Sequence, residues 1–218
     1  MEALGILLAM RAFVFTGGEA PAAARVLPEL IAGDLLVAAD SGLLTIKAFG
    51  LEPDLIIGDM DSLPDQAMLE GYPRERVKRH GRNKDESDTE LAYGAALEAG
   101  ADEISIVGGG GGRLDHLLGI LCLFERVKGP AAWYLPQGKA WRVEGREVFS
   151  SAPGEPISFF PLGSTPLRME SEGLRWPLSG LEFARGFMSL SNEASGESVS
   201  LKVISGKALA MRGYRDAE

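Results

Sequence analysis

The chain has 218 residues, a net charge of −9 at neutral pH and 45% hydrophobic residues, the balance of a soluble globular protein with one large or two modest domains. Its acidity argues against a basic nucleic-acid surface, and no apolar stretch is long enough to span a bilayer. Only two histidines, His80 and His116, leave no basis for a His-rich zinc site or a His-centred triad.

The segment Met1 to Met10 is apolar, but it carries Glu2 and no basic residue before Arg11, so it lacks the charged front of a signal peptide. Short continuous apolar runs follow at 12–15, 35–38, 55–57, 104–107 and 132–135. Such runs fit strands buried on both faces. Helical patterns are expected between them at 21–31, 42–49, 64–70, 88–99 and 114–127. Ser87 and Glu90 form a capping box for the fourth, and Gly100 stops it. Cys122 lies in the fifth and reads as a small core residue. As the chain's single cysteine it excludes an intrachain disulfide and fits a reducing, cytoplasmic setting. This alternation predicts an open, mostly parallel, Rossmann-like α/β sheet flanked by helices.

Texture changes at Pro136-Gln137-Gly138. Seven short β-rich pieces follow, at 141–144, 147–150, 157–160, 167–170, 187–191, 199–203 and 208–211, separated by Gly, Pro, Ser or Asn. They predict a smaller all-β sandwich or roll. The expected domains are 1–135 and 136–218, with about the last five residues loose. Trp133 and Trp141 read as packing residues near the boundary. Asp54, Asp65, Asp102 and Glu103 read as solvated charges.

Chemistry concentrates in the first domain. In a parallel α/β sheet, ligands collect at the carboxyl ends of the strands, and the motifs fall at such ends. They are Gly17-Gly18, Ala39-Asp40-Ser41-Gly42, Gly58-Asp59-Met60-Asp61-Ser62 and the five glycines Gly108 to Gly112 with Arg113-Leu114-Asp115-His116. Lys84-Asp85-Glu86-Ser87-Asp88 opens a helix between them. Asp59 and Asp61, two apart in an extended segment, would share a side and repel unless a cation sits between them. Hard oxygen ligands suit Mg²⁺. The glycine loop lets backbone amides approach phosphate oxygens, and Arg113 offers a planar fork for them. It is not a Walker A loop, since no Gly-Lys-Ser/Thr follows. Blander readings stand beside these. Asp88 suits a helix dipole, Asp40 suits a turn, Asp115 suits a pair with Arg113, and His116 suits a structural role.

The order of these motifs, with Asp85-x-Ser87-Asp88-x-Glu90, resembles the thiamine pyrophosphokinase family. So do Gly173-Leu174-Arg175-Trp176-Pro177-Leu178 and Ser191-Asn192-Glu193 in the second domain. The resemblance spans nearly the whole chain. It implies transfer of the diphosphate of ATP to the hydroxyl of thiamine, giving thiamine diphosphate and AMP. It also implies a homodimer, with thiamine between the α/β domain of one subunit and the β domain of the other. Asp59, Asp61 and Asp88 would hold Mg²⁺ and the ATP phosphates, with Asp115 completing the catalytic carboxylates and Arg113 on phosphate. Gly17, Gly18, Asp40, Ser41, Gly42, Ser62, Asp85, Gly110, Gly111 and Gly112 would contact ATP. Trp176 would stack on the pyrimidine, and Ser191 and Asn192 would hydrogen-bond it. The family usually has Gly where this chain has Ser41, and Phe where it has Met60. Rival readings are a diphosphokinase of another hydroxymethyl heterocycle such as a pterin, a Mg²⁺-dependent nucleotide hydrolase, and a non-catalytic thiamine or nucleotide sensor.

Overall fold

A computed structural model describes residues 9–81 and 85–214. The start of the chain, Lys84 and the last four residues lie outside the described residues. The chain divides into two compact units, Met1–Leu117 and Leu118–Glu218.

The first unit is built on five parallel strands: β1 (Arg11–Thr16), β2 (Leu35–Ala39), β3 (Leu55–Gly58), β4 (Val77–Arg79) and β5 (Glu103–Gly108). Their order is β5-β1-β2-β3-β4. The α-helices among the described residues are α1 (Gly42–Ala48), α2 (Asp88–Glu98) and α3 (Leu114–Phe124), the last running across the division at Leu117. Alternate residues of a strand face opposite sides. Ala12, Val14, Val37, Ala39 and Ile57 accordingly bury one face with Ala92, Tyr93 and Ala96 of α2. On β1 the intervening Phe15 meets Phe49, just past α1, edge to face at 5.9 Å.

Two expected helices are not α-helical. The segment 21–31 contains 3₁₀ turns at Ala23–Arg25 and Leu27–Glu29. Pro28 has no N–H to donate, so a longer α-helix is interrupted there. The segment 64–70 is a 3₁₀ turn, Gln66–Leu69, capped by the Asp65 side chain, which accepts from the Ala67 amide at 2.8 Å. Strand β4 lacked a sequence signal because its Val-Lys-Arg is short and polar. Asp54 is not simply solvated: its carboxylate accepts from the Leu36 amide at 2.8 Å and ties β2 to the turn before β3.

Among its described residues the second unit has eight strands: β6 (Ala132–Leu135), β7 (Gly138–Val143), β8 (Arg146–Ser150), β9 (Pro156–Leu162), β10 (Arg168–Glu172), β11 (Ser189–Glu193), β12 (Ser198–Ser205) and β13 (Lys207–Gly213). One antiparallel sheet runs β6-β7-β13-β9-β11, and a smaller one runs β10-β12-β8. Val143, Ile157, Phe159 and Ala208 of the first share a core with Met169, Val199 and Leu201 of the second. Trp133 is buried, and Trp141 packs edge to face on Phe149 at 5.4 Å. Cys122 departs from expectation: it lies on the exposed side of α3, while Ile120, Leu123 and Phe124 face inward.

Candidate active site

The strand order reverses at β1, which has β2 on one side and β5 on the other. Ligands of open α/β sheets bind outside the carboxyl ends at such a switch point. There the chain turns sharply. Gly42 lets α1 start against the end of β1, since a Cβ at this position would lie 2.0 Å from the Phe15 carbonyl oxygen. Gly58, with φ +151°, ends β3 so closely that a Cβ would come within 3.1 Å of Asp40 Cβ and Asp88 Oδ1.

Three carboxylates converge over these ends. Asp40 follows β2, Asp59 follows β3 and Asp88 opens α2, and a carboxylate oxygen from each lies within 4.8 Å of the others. Asp40 is only 8% exposed, and its Oδ1 is buried without a hydrogen-bond partner. Burial pushes its pKa up, and Asp88 and Asp59 push it further, against the opposing Ser62 hydroxyl and Ser41 amide. A buried acceptor with no donor is costly unless something else fills it. A divalent cation with hard-oxygen preference fits this donor set.

Asp61 is not part of this trio. The expectation that Asp59 and Asp61 share one side of an extended segment fails. Met60 has φ +65°, and the Asp61 amide donates to Asp59 Oδ1 at 3.0 Å, so the segment is an Asx-type turn. The Met60 side chain is fully buried under the turn, and its carbonyl accepts from Gln66 Nε2 at 2.6 Å. Asp61 and Ser62 are exposed on the turn, and Asp85 is exposed on the bend before α2.

The start of α2 is fixed twice. Ser87 and Glu90 close the expected capping box. In addition, the hydroxyls of Thr16, at the end of β1, and Thr89 pair at 2.6 Å, a link with no local sequence signal. It binds the residue after Asp88 to the strand end nearest the glycines.

The glycine loop meets Gly17 and Gly18. The Gly109 amide donates to the Gly17 carbonyl at 2.9 Å, and Gly110 exchanges both backbone bonds with Glu19 at 2.7 and 2.9 Å. The amides of Gly109 and Gly110 are therefore committed, leaving Gly111 and Gly112 as the loop amides that follow this bridge. Ser41 stands against Gly17, where an added Cβ would meet its hydroxyl at 2.4 Å. Arg113 and Asp115 are exposed and paired with each other, Nε to Oδ1 at 3.1 Å. The guanidinium holds the Asp115 carboxyl below its usual range. Asp115 is outside the trio, and His116 is exposed.

In the second unit, Trp176 is 51% exposed, and the Arg175 guanidinium lies 4.7 Å from its ring centre. Asn192 is buried beside it and bonds the Trp176 backbone, while Ser191 is exposed with φ +52°.

Known proteins resemble this chain along most of its length. Residues 27–131 match the family model "Thiamin pyrophosphokinase, catalytic domain", and residues 147–207 match "Thiamin pyrophosphokinase, vitamin B1 binding domain". A thiamine pyrophosphokinase of Bacillus subtilis (strain 168) is 29% identical over 178 residues, covering 73% of this chain and 78% of that protein. The crystal structure of a thiamin pyrophosphokinase from Geobacillus thermodenitrificans superimposes with a TM-score of 0.74 at 25% identity, covering 95% of this chain and 99% of that one. A thiamine pyrophosphokinase structure from Bacillus subtilis gives 0.77 at 24% identity, over 94% and 100%. With both family models matched in order along most of its length, the chain belongs to the thiamin pyrophosphokinase family.

Proposed function

We propose that this enzyme transfers the diphosphate of ATP to the hydroxyl of thiamine in a Mg²⁺-dependent reaction, giving thiamine diphosphate and AMP. Family membership makes it a transferase that forms thiamine diphosphate. The donor, the metal and the second product are our reading. The observation that carries it is the trio of Asp40, Asp59 and Asp88, with a buried, partnerless Asp40 oxygen among them.

Asp40, Asp59 and Asp88 would hold the cation, with Asp61 a further carboxylate on the same turn. Bound Mg²⁺ would neutralise phosphate charge and polarise the phosphorus under attack. The chain's own work is positioning and charge placement, which dominate phosphoryl transfer. Arg113 would fork onto phosphate oxygens in exchange for Asp115. Gly17, Gly18, Ser41, Gly42, Ser62, Asp85 and the Gly110 to Gly112 loop would line the ATP site. Asp61 or Asp115 would accept the thiamine hydroxyl proton; Arg113, in turning from Asp115 to phosphate, would free the Asp115 carboxylate to do so. Trp176 would stack on the pyrimidine, beside Ser191 and Asn192.

The family resemblance also supports a homodimer and two domains, catalytic at 1–135 and thiamine-binding at 136–218, bracketing the two matched models. No helix among the described residues is long and apolar enough to cross a membrane. A cytoplasmic setting suits the single cysteine.

Purified protein given ATP, Mg²⁺ and thiamine is expected to form AMP and thiamine diphosphate in equal amounts. Conversion of a pterin alcohol but not thiamine would overturn the substrate. Steady pyrophosphate release without an acceptor would overturn the transfer, and binding without product would leave a sensor.

A further inference from the structure

Asn192 lies in the stretch expected to touch thiamine, yet it is 2% exposed and its amide is already engaged. Its Oδ1 accepts from the Trp176 amide at 3.2 Å and the Glu193 amide at 2.9 Å, and its Nδ2 donates to the Trp176 carbonyl at 2.7 Å. Both backbone polar groups of Trp176 are thus held by one side chain. The neighbouring residues repeat the link. The Arg175 amide donates to the Glu193 carbonyl at 2.7 Å, and Arg175 Nη1 pairs with Glu193 Oε2 at 2.7 Å. This pairing sets the guanidinium against the indole.

The local backbone explains why Asn192 points inward. On β11, Ser189 pairs with Phe159 and Asn192 with Ile157, so Leu190 and Ser191 together oppose Ser158 alone. This is a β-bulge. Ser191 takes the left-handed φ of +52°, and its amide donates to Ser158 Oγ at 3.1 Å. The bulge leaves Leu190 and Ser191 exposed and turns Asn192 inward onto Trp176. Non-glycine residues in this conformation persist only where the surroundings enforce them, often at ligand sites. What the bulge and clamp produce is a fixed backbone under a large aromatic ring that stays half exposed.

We propose that Asn192 is a positioning residue for the heterocyclic substrate, acting only through Trp176, whose indole it fixes as a stacking platform backed by Arg175. This rests on the reading of Trp176 as the surface that receives the pyrimidine. An indole on a free backbone would lose part of its stacking to ordering entropy.

A double-mutant cycle separates this role from direct contact. Asn192→Ala is expected to raise the KM for thiamine about tenfold, while the KM for ATP changes less than about twofold. In a Trp176→Ala background, the same change is expected to add less than about twofold. A full Asn192 effect in that background would mean direct contact and overturn the proposal, as would no effect on the thiamine KM in the wild-type background. Should Asn192→Ala not fold, Asn192→Asp replaces it, since it keeps the Oδ1 acceptor and loses the Nδ2 donor. If the wild type converts another heterocyclic alcohol instead, the thiamine reading fails. The cycle is then run on that alcohol, and the proposal is judged by the same two outcomes.

Discussion

Asp40, Met60 and Ser191 are the residues other than glycine with positive φ among those described, and each adjoins a proposed ligand position. Such conformations cost about 1–3 kcal/mol each, which the surrounding structure must offset. Asp40 combines this strain with burial and two acidic neighbours. Asp40→Asn keeps the size and removes the charge. In chelator it is expected to melt higher than the wild type, because repulsion with Asp59 and Asp88 is relieved. In assays with Mg²⁺ its kcat should fall by about 10²-fold or more. A lower metal-free melting temperature with near-normal turnover would remove Asp40 from the site. At this scale, sequence located Asp40 at a strand end but not its burial. The Asp59 and Asp61 pair misled because spacing says nothing of a left-handed Met60 between them. The exposure of Trp176 was not legible from its own pattern, which suits a core residue equally well, and its backbone clamp was not legible at all, since the register of β11 depends on a bulge.

Helix α2 shows how an element transmits order to the site. Its capping box is local, four residues long, and readable in sequence. Its Thr16–Thr89 link joins residues 73 apart and is readable only in space. Ser87→Ala is expected to destabilise the protein by about 1 kcal/mol in denaturant melts. Thr89→Val should lower kcat by about two- to tenfold, the worth of one hydrogen bond, and Thr89→Ser should restore it; equal activity in both variants would make the link merely structural. The failed helix at 21–31 teaches the converse: apolar content was sufficient, but Pro28 stopped propagation. In the second unit, β8 supplies a pH test. Glu147 accepts from Trp141 Nε1 at 2.7 Å, and burial raises its pKa. A carboxyl with a raised folded pKa contributes stability below its unfolded pKa and loses it as pH rises through the folded one. Glu147→Gln, which keeps an acceptor oxygen, should be more stable than wild type at neutral pH, with the difference closing toward acid. A constant difference across pH would mean Glu147 is not desolvated.

At the scale of the molecule, acids and glycines scattered along the first unit become neighbours because parallel strands deliver their ends to one edge. That convergence was legible from the alternation of apolar runs and helical patterns, as was the change to short strands beyond Pro136. The membership of the cluster was not, because which acids meet depends on the turn each strand makes: Asp40 replaced Asp61 in the trio. The decisive experiment is a crystal structure with Mg²⁺ and a non-hydrolysable ATP analogue. A cation is expected about 2.1 Å from carboxylate oxygens of Asp40, Asp59 and Asp88, bridging them to the phosphates. A cation held by phosphates and water alone, with none of those three acids in its shell, would contradict it.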